Sequence, residues 1–165
     1  MSQFQEDLIA ARPAEILAWE VLNSLTKDYN FADVADLPQF YHYGDILAIG
    51  KDGSRFMIDV KRDTCIWKTK NVLCEERVHD KRDDTDKPGF MYSNYDYLCI
   101  VSEKESRLYI IDFKILKQIY KKGEHREFDH DTQWTDGYLL NTSVIKRYKG
   151  LTAIINYATG EVTKY

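Results

Sequence analysis

Residues 44–61 read GDILAIGKDGSRFMIDVK. An apolar run entered at Gly44-Asp45, turn chemistry at Lys51-Asp52-Gly53-Ser54 and a second run of extended character predict an antiparallel hairpin. Side chains alternate along a strand, so Phe56, Ile58 and Val60 share one face and Met57, Asp59 and Lys61 share the other. Opposite charges two positions apart on one face of so apolar a strand are unusual, because such a strand ordinarily spends both faces on packing. Paired strands lie about 4.8 Å apart. A suitable register therefore brings Asp45 within reach of Asp59 and Lys61.

Upstream, residues 1–30 predict a helix, with Pro13 in the first turn of a segment running to about Lys27. Ile16, Leu17, Ala18, Trp19, Val21, Leu22 and Leu25 form its apolar stripe. Glu15 projects inside that stripe whereas Glu20 lies outside it, and a carboxylate on the core side is costly unless something pairs with it. Residues 28–42 read as a loop. Downstream, 71–75 predict a short strand, 76–94 a charge-dense mobile loop, 96–102 and 107–112 two strands joined by a turn, and 113–122 a helix. Residues 151–165 predict a final hairpin turning at Ala158-Thr159-Gly160. The expectation is one α/β (α+β) domain over residues 1–165 with a central mixed sheet flanked by helices. Its core covers about 6–122, and 123–165 form a β-rich extension.

Composition narrows the function classes. With 165 residues, 44% hydrophobic and 30% charged, the chain can bury a core and is neither disordered nor a bilayer protein by composition. It has no apolar run of about 18 residues, and acids occupy the start where a secretion signal is basic and then apolar. Cys65, Cys74 and Cys99 are odd in number and contain no C-x-x-C pair. That argues against a disulfide framework and against zinc, and leads to an expected cytoplasmic location. A net charge of −4 requires any nucleic-acid binding to use local patches or metal ions. Residues 1–36 hold seven acids against Arg12 and Lys27, so the acidity is concentrated away from the C-terminal half. Basic side chains that could track a nucleic acid are Lys68 and Lys70, then Lys114, Lys117, Lys121 and Lys122 on one helix, then Lys146, Arg147 and Lys149. Trp67 and Tyr92 are available for stacking on bases.

Two carboxylates and an amine in this arrangement suit metal-assisted phosphodiester hydrolysis. A hard cation such as Mg²⁺ takes oxygen ligands and keeps several waters, so Asp45, Asp59 and the backbone carbonyl of Val60 make an adequate cage. The Lys61 ammonium can hold an attacking water or counter charge growing on a phosphoryl group. Glu75 reads either as a supporting carboxylate of the site or as a solvated acid of the charged loop.

These residues resemble the PD-(D/E)XK, or restriction-endonuclease-like, nuclease superfamily. The resemblance rests on an inward Glu15, the strand entrance Gly44-Asp45, the strand Ile58-Asp59-Val60-Lys61 and the strand and helix that follow. Thr69 to Glu75, Lys87-Pro88-Gly89 and Tyr95-Asp96-Tyr97 are further similar to small phage-type members. The resemblance implies Asp45 and Asp59 as Mg²⁺ ligands with Mn²⁺ able to substitute, Lys61 as the catalytic lysine, and Glu15 as an acid that completes or orients the site. It implies DNA as substrate, cut by structure or at ends, since about 165 residues leave little room for a sequence reader. A homodimer would let two sites cut two strands. The chain departs from the pattern at Gly44, where the family name has Pro, and at Asp59, where Glu is common.

Each residue also has a plainer reading. Asp45 suits a turn cap, and Asp59 with Lys61 an exposed same-face ion pair worth roughly a few tenths of a kcal/mol. Glu15 suits a first-turn acid favoured by the helix dipole. His42 could touch a phosphate, while the spacing of His125 and His130 fits no usual zinc pattern. The competing function is a non-catalytic interaction module on the same fold, for instance a phage-encoded inhibitor.

Overall fold

The computed structural model describes residues 3–40, 43–81, 84–120, 124–129 and 133–165, with the backbone alone at 3–9, 124–129 and 133. In chain order the elements are α1 (Gln3–Leu25), β1 (Tyr29–Asp33), β2 (Ile46–Gly50), β3 (Arg55–Arg62), α2 (Ile66–Thr69), β4 (Asn71–Asp80) and β5 (Thr85–Pro88). There follow β6 (Tyr97–Ser102), β7 (Arg107–Asp112), α3 (Phe113–Ile119), β8 (Glu124–Asp129), β9 (Gln133–Asn141), α4 (Thr142–Arg147), β10 (Leu151–Asn156) and β11 (Glu161–Lys164).

Seven strands form the central sheet in the order β1-β2-β3-β6-β7-β10-β11, and four form a second sheet, β5-β4-β9-β8. The central sheet is mixed: β3 and β6 run parallel, with Ile58 opposite Tyr97 and Lys61 opposite Ile100, and its other pairs are antiparallel. The expected mixed sheet with helices is therefore what the chain forms, although the polypeptide divides its strands between two sheets. The stretch after residue 123 is woven into both, since β9 pairs with β4 and β10 with β7.

Alternation on β3 sorts its side chains between two cores. Ile58 and Val60 pack with Ala14, Ala18, Val21 and Leu22 of α1 on one face of the central sheet. Met57 faces the other side, where α2, α3 and α4 join Val72 and Cys74 of β4 and Leu140 of β9. Asp59 and Lys61, two and four positions beyond Met57, lie on that second face.

Several local expectations are corrected. Pro13 sits within α1, not in its first turn, because the helix begins at Gln3. Glu15 is therefore remote from the helix N-terminus, and the helix-dipole reading of it fails. The segment 28–42 holds a strand, β1, anchored where Trp19 donates its Nε1–H to the Phe31 carbonyl at 2.9 Å. The charge-dense stretch 76–94 is largely β-structure: β4 runs on to Asp80 and pairs with β5. Its many charges sit on a half-exposed second sheet, which tolerates them on the solvent side. The hairpin of β2 and β3, the pair β6 and β7, and the closing hairpin of β10 and β11 form as expected. His42, His130, Lys121 and Lys122 lie outside the described residues, as does the side chain of His125.

Candidate active site

The site forms where β2 stops and β3 continues. Ile46 opposite Ile58 is the last residue pair of their ladder, and beyond it Val60 donates its N–H to Asp45 Oδ2 at 2.7 Å. Gly44 makes this approach feasible. Its φ is +128°, and a Cβ there would sit 2.8 Å from the Ile58 carbonyl oxygen, so no other residue fits without displacing backbone. In a strand, a residue's N–H and C=O leave on the same side. The Val60 carbonyl therefore also points past the end of β2, toward Asp45.

Asp59 follows Ile58, whose carbonyl accepts the Asp45 N–H at 2.9 Å, and its side chain is only 13% exposed. Its Oδ2 lies 2.8 Å from Lys61 Nζ, an ionic contact without an aligned hydrogen bond. Burial and then the charge of Asp59 push the Asp45 carboxyl up to about 7, against the lowering effects of the Val60 N–H and Lys61. For Lys61 burial opposes the charged form, but Asp59, Asp45 and Glu75 outweigh it and raise the pKa above the ordinary lysine value. Its side chain nonetheless stays 42% exposed, as a long stem with a wet tip can.

Glu75 is brought to the same place from the second sheet. A β-bulge in β4 between Glu75 and Arg77 re-aims the strand, and Gly89 and Gly137 lie so close to β4 that a Cβ would strike the Glu75 and Cys74 carbonyls. Burial raises the Glu75 carboxyl, with Lys61 acting against and Asp59 adding to that shift. Lys61 and Glu75 line a cleft of about 460 Å³ between the sheets, together with Arg62, Thr64, Asn71 and Leu98. Asp45 and Asp59 do not line it.

The other expected residues fare differently. Glu15 is buried and its Oε2 is held by Arg12 Nη1 at 3.0 Å; it bears on the Asp45 charge as the weakest of the named contributions. Arg12 also grips Asp33 through two hydrogen bonds, so this cluster ties α1 to β1. Lys70 caps α2 in a left-handed conformation and is engaged by Glu105, whereas Lys68 is exposed on α2 beside the exposed Trp67. Tyr95, which the sequence presents only as the lead-in to a strand, has its hydroxyl buried in this region.

The donor set fits a hard divalent cation. Two carboxylates crowded in a buried place repel, as the raised Asp45 carboxyl shows, Asp59 Oδ2 is met by Lys61 without an aligned hydrogen bond, and Val60 offers a carbonyl on the same side. A cation that keeps most of its waters needs only one or two carboxylates. Among the described residues no three His, Cys, Asp or Glu side chains are grouped so as to hold a metal ion.

No family model matches the chain, and no curated protein matches it. A solved structure, of the bacterial homing endonuclease I-Ssp6803I, is similar at 14% identity with a TM-score of 0.44, covering 81% of this chain and 78% of that one. Among the described residues no helix is long and apolar enough to cross a membrane.

Proposed function

We propose that the chain is a Mg²⁺- or Mn²⁺-dependent nuclease of restriction-endonuclease-like type that hydrolyses phosphodiester bonds in DNA. The observation that carries this reading is the convergence of Asp45, Asp59 and Lys61 at the end of the β2–β3 ladder. Asp45 and Asp59, with the Val60 carbonyl, would hold the cation. When bound, it supplies Lewis-acid stabilisation of a phosphoryl oxygen and shields the phosphate charge from the nucleophile. Lys61 borders the cleft and pairs its ammonium with Asp59; released toward substrate, it can orient a water toward phosphorus and balance the negative charge that grows as the new P–O bond forms and the leaving P–O bond breaks. Glu75 lines the same cleft and adds its charge to those that keep Lys61 protonated. Glu15 acts at a distance, through the Arg12 cluster that fixes α1 against β1.

Cleavage of single-stranded, duplex and branched DNA with and without Mn²⁺ tests the proposal, with Lys61→Ala as the comparison. Metal-dependent cutting by the wild type, lowered about 100-fold or more in the variant, is expected. A folded wild type that cuts none of these substrates overturns it. A non-catalytic interaction module is the second reading. It is favoured by the partners that Asp45, Asp59, Lys61 and Glu15 have within the protein, and it predicts no divalent-ion binding at Asp45 and Asp59.

A further inference from the structure

Tyr95 is fixed from two directions. Just after it, Asp96 clamps the chain to β3: its carboxylate accepts the Met57 N–H at 2.8 Å and its own N–H donates to the Met57 carbonyl at 2.9 Å. Its ring packs on Phe113 with centroids 3.9 Å apart. The residue is 6% exposed and belongs to the core cluster that Met57 joins, on the face of β3 that carries Asp59 and Lys61. Its hydroxyl nevertheless has no hydrogen-bond partner. The charges acting on that hydroxyl are led by Asp59 and then Asp45, and Asp59 Oδ2 is a buried oxygen met by Lys61 Nζ at 2.8 Å but off hydrogen-bond alignment. A buried hydroxyl with no partner is costly, and a carboxylate oxygen already beside an ammonium still has a lone pair with which to accept. A bound water that serves both is the ordinary remedy in a polar interior.

We infer that Tyr95 is a positioning residue of the candidate site: its hydroxyl donates to one ordered water, which in turn donates to Asp59 Oδ2 and fixes that carboxylate toward Asp45 and the Val60 carbonyl. The inference rests on Asp45 and Asp59 as cation ligands. Groups that orient a ligating carboxylate from outside the coordination sphere commonly change metal affinity by about 10- to 100-fold when removed. Tyr95 touches neither substrate nor cation in this scheme.

The test uses the full chain carrying 3-fluorotyrosine at position 95 alone, observed by ¹⁹F NMR during titration with Mg²⁺, alongside calorimetry of Mg²⁺ binding to the wild type and Tyr95→Phe. The expected result is a shift of the position-95 resonance that saturates with the calorimetric isotherm, and about 10-fold or greater weakening of Mg²⁺ binding in Tyr95→Phe. Tyr95→Phe keeps the ring against Phe113, and the NMR arm needs no variant to fold. Mg²⁺ binding by the wild type with an unmoved resonance and an unchanged affinity in Tyr95→Phe overturns the role of Tyr95 and leaves the cation reading intact. A wild type that binds no Mg²⁺ overturns both.

Discussion

Asp45 and Val60 meet beyond the last residue pair of the β2–β3 ladder, where Asp45 Oδ2 accepts the Val60 N–H at 2.7 Å. The carboxylate takes the place that a β2 carbonyl would have filled had the strand continued. One contact thus ends a ladder, satisfies a buried N–H and holds an acid beside Asp59. The plainer reading of Asp45 as a cap and the catalytic one are the same geometry, separated only by what the second carboxylate oxygen does.

That contact depends on Gly44. With φ at +128° and the Ile58 carbonyl 2.8 Å from where a Cβ would stand, Gly44→Ala is strained and also clashes with backbone. We expect a loss of stability of about 1–3 kcal/mol, read from the urea midpoint. Any DNA cleavage should fall further than the stability loss alone explains, because Asp45 is displaced.

Asp45 also sets a pH dependence. Burial and Asp59 push its carboxyl up to about 7, while in the unfolded chain an Asp titrates near about 3.9. Between those values the native state holds a proton that the unfolded state has lost, so stability falls as pH rises. For the cation-free protein the urea midpoint should decline from about pH 4 to about pH 7 relative to Asp45→Asn, and then level off. Mn²⁺ affinity should rise through the same window, since a ligand must be ionised to bind. A wild-type midpoint that climbs over this range relative to Asp45→Asn contradicts the burial argument.

Arg12 serves three acids, Glu15, Asp33 and Asp36. Arg12→Ala strands Glu15, whose side chain is 9% exposed, and should destabilise the chain by about 2 kcal/mol. Glu15→Gln, which keeps an acceptor for Arg12, should cost less. A double-mutant cycle measures the coupling. A coupling energy near zero would show that Glu15 gains nothing from its pairing.

The hairpin at 44–61 was legible because its period, its turn residues and its charges agreed. In the fold Asp45 accepts the Val60 N–H and Asp59 pairs with Lys61. Glu15 is recognisable in the sequence as an inward acid, whereas its partner Arg12 is evident only in the fold, and Pro13 suggests a helix start where the helix in fact continues. A proline within a helix is costly in isolation, and only the packing of α1 along the sheet outweighs that. The strand β1 and the β4–β5 hairpin were hidden because their sequences are polar on the exposed side, so the apolar alternation is weak there. Tyr95 carries no signal in the sequence: that its hydroxyl is buried without a partner is visible only in the fold.

Two lysines offered as substrate contacts separate by environment. Lys70 is spent on Glu105, which also accepts the Tyr109 hydroxyl at 2.7 Å; Lys68 is exposed. Lys68→Ala should weaken DNA binding and reduce the slope of log affinity against log salt by about 1. Lys70→Ala should instead act on stability. Filter binding across a salt series, with urea melts of both variants, checks this. A larger salt effect for Lys70→Ala than for Lys68→Ala would contradict it.

The central claim is that Asp45 and Asp59 share a divalent cation. Anomalous diffraction from crystals soaked in Mn²⁺ tests it most directly. The account predicts one strong peak ligated by both carboxylates and the Val60 carbonyl, with Lys61 turned to the cleft. A fully soaked crystal that shows no Mn²⁺ at this place, with Lys61 still paired to Asp59, contradicts it.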